Sequence, residues 1–170
     1  MKKIILTVVT IVTFILSATA TDNVANKTVS VQSKARIITP ITLANSQALD
    51  FGVIARGAAS STIVVGSVAA PSVSVTSGDA VVLTSAPQTA AKFTVGGEVG
   101  KTYAITIPTT PQTISYLTNN LSITAFTCSN TTGGTIGTND EFYVGGTLTV
   151  TSAAVPASYT GTFSVTVAYN

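Results

Sequence analysis

Tyr159-Thr160-Gly161-Thr162-Phe163-Ser164-Val165-Thr166-Val167-Ala168-Tyr169-Asn170 sets apolar or aromatic side chains at Phe163, Val165, Val167 and Tyr169, with small polar ones between them. Successive side chains of a strand point to opposite faces, so this period of two gives an extended segment one apolar and one polar face. Chain ends usually fray. Alternation kept up to the penultimate residue therefore predicts a strand held between neighbours in a sheet. The same pattern recurs earlier, in Ala91–Val95, Thr102–Ile107, Leu121–Thr127, Glu141–Val144 and Thr147–Thr151, with Gly, Pro, Asn, Asp and Ser clusters between the runs. Many short strands with turn residues between them predict an all-β sandwich or barrel, and nothing after residue 20 carries a helical period. Gly96-Gly97 and Gly145-Gly146 each lie between alternating runs, where freedom to take positive φ allows a tight hairpin or a bulge. Gly133-Gly134 falls in the polar stretch Ser129–Thr138 and reads as loop, Pro108 and Pro111 bracket another loop, and Pro40 marks a bulge or an edge position.

The run from Val29 to Leu43 alternates as well: Val29, Val31, Ser33, Ala35, Ile37, Thr39, Ile41 and Leu43 share one face, and Ser30, Gln32, Lys34, Arg36 and Pro40 fall on the other. Strands usually run to about five or six residues, and this one is far longer. It predicts two consecutive strands. The second belongs to the domain's own sheet, and the first, Val24 to Ser33, is free to pair elsewhere.

Lys2 and Lys3, the apolar run Ile4 to Leu16 and the small residues Ser17-Ala18-Thr19-Ala20 have the three-part layout of a secretory signal peptide. The apolar run is shorter than the about 20 residues a membrane-spanning helix needs. Cleavage after Ala20 is expected to leave 170 − 20 = 150 residues, enough for one domain. The expected organisation is a signal peptide over 1–20, an N-terminal extension over 21–34 and a β-sandwich over 35–170. Removing Lys2 and Lys3 leaves six Lys and Arg against six Asp and Glu. An exported chain with balanced, scattered charges has no basic stripe for phosphates or anionic lipid, which argues against nucleic acid and membrane surfaces as partners. Near-zero net charge also removes long-range self-repulsion and so favours association.

With no histidine in the chain, imidazole acid–base chemistry and His-ligated zinc are excluded. Cys128 is the sole cysteine, so multi-thiolate metal sites and an internal disulfide are excluded too, and it reads as a small buried apolar residue. Asp140 and Glu141 are adjacent in a strand-like run and so point to opposite faces, which suits a solvated approach to a turn better than a catalytic pair. A calcium site built on them lacks the repeated acidic spacing. Val95-Gly96-Gly97-Glu98-Val99-Gly100 is glycine-rich but leads into a strand, not a helix, so a phosphate cradle is not expected. No catalytic residue, cofactor or metal is assigned, and the chain is expected not to be an enzyme.

Four strings together resemble the bacterial domain-of-unknown-function family numbered 4402: Leu49-Asp50-Phe51-Gly52; Ala91-Lys92-Phe93-Thr94-Val95-Gly96-Gly97; Phe142-Tyr143-Val144-Gly145-Gly146-Thr147-Leu148; and the C-terminal string quoted above. The chain is also similar to chaperone–usher pilus subunits of the archaic and spore-coat-U-like classes, although Ala157 stands where many classical pilins have glycine. That resemblance implies an immunoglobulin-like β-sandwich lacking one strand, completed by the N-terminal extension of the next subunit through donor-strand complementation. It further implies a donor face of Val29, Val31 and Ser33 and an acceptor groove lined by Phe163, Val165 and Val167 with Tyr169 at its end. The expected function is a structural subunit of a surface fimbria, made of copies of itself, passing the periplasm with a chaperone and an outer-membrane usher. The alternative is a monomeric secreted β-sandwich that binds a carbohydrate or a host surface. An outer-membrane barrel would want aromatic girdles, and only ten aromatics and no Trp remain once Phe14 is removed with the signal. Gly and Pro breaks argue against an amyloid-like fibre.

Overall fold

The computed structural model describes residues 27–138 and 140–170; the expected signal segment 1–20 and the start of the expected extension, 21–26, lie outside the described residues. The chain divides after Arg36. In the first unit, residues 27–36 form no strand and all are exposed. The second of the two strands expected between Val29 and Leu43, the one belonging to the domain's own sheet, begins its pairing at Thr42, past Pro40, which has no backbone N–H to give a ladder.

The second unit is all-β. Among its described residues are β1 (Thr42–Gln47), β2 (Val53–Ala55), β3 (Ser61–Val65), β4 (Val73–Ser77), β5 (Val81–Leu83) and β6 (Ala91–Gly96), then β7 (Thr102–Thr106), β8 (Gln112–Tyr116), β9 (Asn119–Cys128), β10 (Gly134–Thr135), β11 (Asp140–Val150) and β12 (Thr166–Tyr169), with no helix. Every pairing is antiparallel. The large sheet holds β1, β6, β11, β3, β4, β9 and β8; β10-β7-β12 form a second sheet and β2-β5 a two-stranded third, together a β-sandwich.

β11 is the axis of the large sheet. Asp140–Val144 pairs with β6, Gly146–Val150 pairs with β3 along the same edge, and β9 runs along the other. The switch of partner falls at Gly145, where a Cβ would lie 2.2 Å from the Val65 carbonyl oxygen, so β3 can close in only on a glycine. The register with β9 shifts between Gly145 and Thr147: Ala125 and Phe126 of β9 stand opposite Gly146 alone, so the bulge lies on β9, where Ala125 takes a positive φ (47°), and β11 runs through Gly145-Gly146 as one strand joining the two runs read from sequence. Gly96-Gly97 ends β6 and turns the chain into the other sheet, so β6 and β7 do not form a hairpin. Gly134, read as loop, pairs with Tyr103 in β10.

Alternation along the strands sets the core. Phe142, Val144, Leu148 and Val150 all point inward from β11, as do Ser61, Ile63 and Val65 from β3 and Ala91, Phe93 and Val95 from β6. Two apolar clusters result. One gathers Phe51, Ile63, Val65, Leu121, Ile123, Leu148 and Val150; the other gathers Phe93, Val95, Tyr103, Cys128, Ile136, Phe142 and Val144, with Phe93 stacked on Phe142 at 5.1 Å between ring centroids.

The β3 end of the first cluster is tied to the loop before β5. The Asp79 carboxylate accepts from the backbone N–H groups of Ala59 (3.0 Å) and Ala58 (2.9 Å), and Ser61 Oγ accepts from those of Asp79 (3.1 Å) and Ala80 (3.0 Å). The donors at Ala59 and Ala58 hold the carboxyl below its ordinary value of 3.8. A depressed folded pKa contributes stability that is present above the unfolded value and lost as pH falls through the folded one. The urea midpoint should therefore drop as the pH is taken down through and below the ordinary carboxyl range, and the drop should be smaller in Asp79→Asn, as fluorescence-monitored denaturation will show.

Candidate functional site

The first cluster, buried as it is, borders a groove. A groove of about 810 Å³ lies over Ile114, Leu121, Ile123, Leu148 and Val150, between residues 48–56 on one wall and 154–163 on the other. The first wall is held from outside. Asp50 exchanges two backbone hydrogen bonds with Thr89 (2.8 and 2.9 Å), and β2 pairs with β5, turning Ile54 inward. The second wall is held at Thr160, which exchanges backbone bonds with Ser115 (2.8 and 3.1 Å), and regains a ladder only at Thr166. Between them Gly161–Val165 makes no strand pairing. The cause is on the facing chain: between the end of β7 at Thr106 and the start of β8 at Gln112 it loops out through Pro108 and Pro111, and a proline cannot donate to a ladder. The strand expected over Tyr159–Tyr169 is thus ordered as Thr166–Tyr169 with a lone bridge at Thr160.

The walls run antiparallel and each end is tied by hydrogen bonds. At one end the Arg56 guanidinium donates to the Ser152 carbonyl. At the other, Tyr169 donates its hydroxyl hydrogen to the Thr39 carbonyl (2.7 Å) and accepts from Glu98 N–H (2.7 Å), while the Glu98 carboxylate accepts from Thr39 Oγ1 (3.1 Å) and N–H (3.3 Å). Gly97 makes room for this clamp, since a Cβ there would stand 2.4 Å from the Tyr169 hydroxyl.

Of the residues read as lining a groove, Phe163 does so, against Phe126 at 5.0 Å between centroids. Val165, Val167 and Tyr169 share its face but pack half-buried on the second cluster, outside the groove lining. Val29 and Val31 are 80% and 81% exposed, and Ser33 is exposed too. The floor residues and the 48–56 wall were not read as groove lining, although Leu49-Asp50-Phe51-Gly52 stood out as a family string and most of the floor residues as strand. Leu121, Ile123, Leu148 and Val150 do alternate, but alternation marks a buried face without saying whether anything covers it.

Of the groups that might have carried chemistry, Cys128 and Glu141 are engaged outside the groove. Cys128 is buried, its Sγ donates to the Asn130 carbonyl (3.2 Å), and burial pushes the thiol pKa up, away from the reactive thiolate. Glu141 pairs with Lys92 at 2.8 Å. Asp140 Oδ2 and the Tyr103 hydroxyl are both buried without completing a hydrogen bond, and burial, then the Asp140 charge, raise the phenol. No group of three His, Cys, Asp or Glu side chains that could hold a metal occurs among the described residues.

A protein-family model, described as a domain of unknown function (DUF4402), matches residues 41–169. No curated protein and no solved structure matches the chain.

Proposed function

We propose that this chain, which belongs to the DUF4402 family, is a non-catalytic structural subunit of a bacterial surface fimbria that polymerises by donor-strand complementation. The observation that carries the proposal is the groove between two chain edges, floored by apolar side chains of the sandwich core. Backbone N–H and C=O groups in such a slot need partners, and an extended segment laid into it gains ladder bonds from its walls while its alternate side chains cover Leu121, Ile123, Leu148 and Val150.

The N-terminal segment has the matching pattern. Val29 and Val31 stand exposed on one face of a stretch that forms no strand, and Thr39, held by Glu98 and Tyr169, marks where the chain joins the sandwich. In the proposed polymer Val29, Val31 and Ser33 of one subunit enter the groove of the next. The subunit is exported, escorted through the periplasm by a chaperone, and assembled by an outer-membrane usher into a filament of its own copies. Electron microscopy of the mature chain is the test: filaments are expected, whereas a monodisperse monomer would favour a secreted binding module.

A further inference from the structure

The register along β11 gives the sandwich two poles. Asp140 lies opposite Val95, one residue from the end of β6, and Gly96 lies opposite Thr42; this pole holds the turn 97–100 and the Thr39–Glu98–Tyr169 clamp. Val150 lies opposite Ser61 and Thr149 opposite Ser122; this second pole holds the β8–β9 turn at Leu117 and the loop from Thr151. At about 3.3 Å per residue the eleven residues of β11 set the poles roughly 36 Å apart.

Both poles carry large apolar side chains in water. At the second, Leu117 is 82% exposed on a left-handed backbone (φ 51°), a conformation disfavoured for leucine. Tyr116, also exposed, meets Tyr159 edge-on at 6.2 Å, and the Tyr159 hydroxyl is bonded to the backbone of exposed Val155. Leu117, Tyr116 and Val155 therefore form one patch beside the groove end tied by Arg56 and Ser152. At the first pole Ile37 is 95% and Val99 75% exposed, next to the Thr39–Glu98 bonds.

Resting on the donor-strand proposal above, we infer that these patches are the two halves of a head-to-tail contact between copies of this chain, Tyr116, Leu117 and Val155 of one subunit covering Ile37 and Val99 of the next. Chain length brings them together. Only residues 34–38 separate Ser33, seated in one subunit's groove, from Thr39, fixed on the next subunit's own body, and the six Cα-to-Cα steps from Ser33 to Thr39 span at most about 22 Å. The next subunit's Ile37–Val99 pole must therefore sit at a mouth of the groove. If like poles met, the contact would be two-fold and would close at a dimer; unlike poles repeat without closing, as a filament requires. The mouth in question is then the one beside Leu117, and packing the two apolar patches there removes both from water.

Disulfide trapping in the mature chain tests this. Leu117→Cys is combined with Val99→Cys or with Ile37→Cys, and each single variant and the wild type serve as controls. The poles are too far apart for a bond within one subunit, because bridged Cα atoms lie within about 7 Å. After oxidation and boiling in detergent without reductant, at least one double variant should give a ladder of covalent multimers, and the wild type, with Cys128 buried, none. Covalent dimers from Leu117→Cys alone would mean that like poles meet, and overturn the inference. Filaments that form, are blocked by a free peptide of residues 21–33, and yield no ladder from either pair would overturn the contact and leave the donor-strand proposal standing. No polymer from any variant or the wild type would sink both.

Discussion

Deleting Thr21 to Ser33 is expected to abolish filaments while leaving a folded β domain. Neither apolar cluster draws a described residue from before Ile41, so among the described residues the truncation removes no core contact, and the domain should keep its β-sheet circular dichroism. What it removes is the segment that would roof the groove of a neighbour. Burying Val29 and Val31 is worth about 1.5–3 kcal/mol each, and each ladder hydrogen bond adds about 0.5–1.5 kcal/mol net, so their joint loss leaves no stable link between subunits. Register sharpens the expectation. One residue inserted between Ser30 and Val31 splits the apolar face and should be nearly as damaging, whereas one inserted after Lys34 leaves that face intact. Filament yield by electron microscopy reads all three variants, and a truncated chain that still polymerises contradicts the donor role.

Phe142→Ala should be the most damaging single change to the fold itself. Phe142 is fully buried on β11 where β6 crosses it, and stacks on Phe93. Truncating a buried phenylalanine costs about 3–5 kcal/mol, a large share of the about 5–15 kcal/mol that holds a domain together. The urea midpoint should fall accordingly with an unchanged slope. A loss below about 1 kcal/mol would mean that the second cluster collapses around the cavity and is not the rigid core described.

The sheet was legible where alternation and burial agree. Ala91–Val95 and Leu121–Thr127 are strands with their apolar faces inward because period two is the geometry of the strand itself. It was less legible where tertiary partners decide. The run after Glu141 contains two glycines that suit a turn, yet it continues as one strand because Val65 needs the space at Gly145. The C-terminal alternation from Phe163 to Tyr169 keeps its facing, but its pairing lapses across Gly161–Val165 because the facing chain contains Pro108 and Pro111. The groove was partly legible: Phe163 was singled out, while the floor residues read in the sequence like any other core face, are buried as such, and only the three-dimensional arrangement shows that they border a groove.

The most direct test of the account is a calorimetric titration of the truncated subunit with a free peptide of residues 21–33. The account predicts saturable one-to-one binding that raises the melting temperature, lost when the peptide carries Val29→Asp and Val31→Asp and retained when it carries Ser30→Asp. Absence of binding by the unaltered peptide, or equal binding by all three, would contradict it.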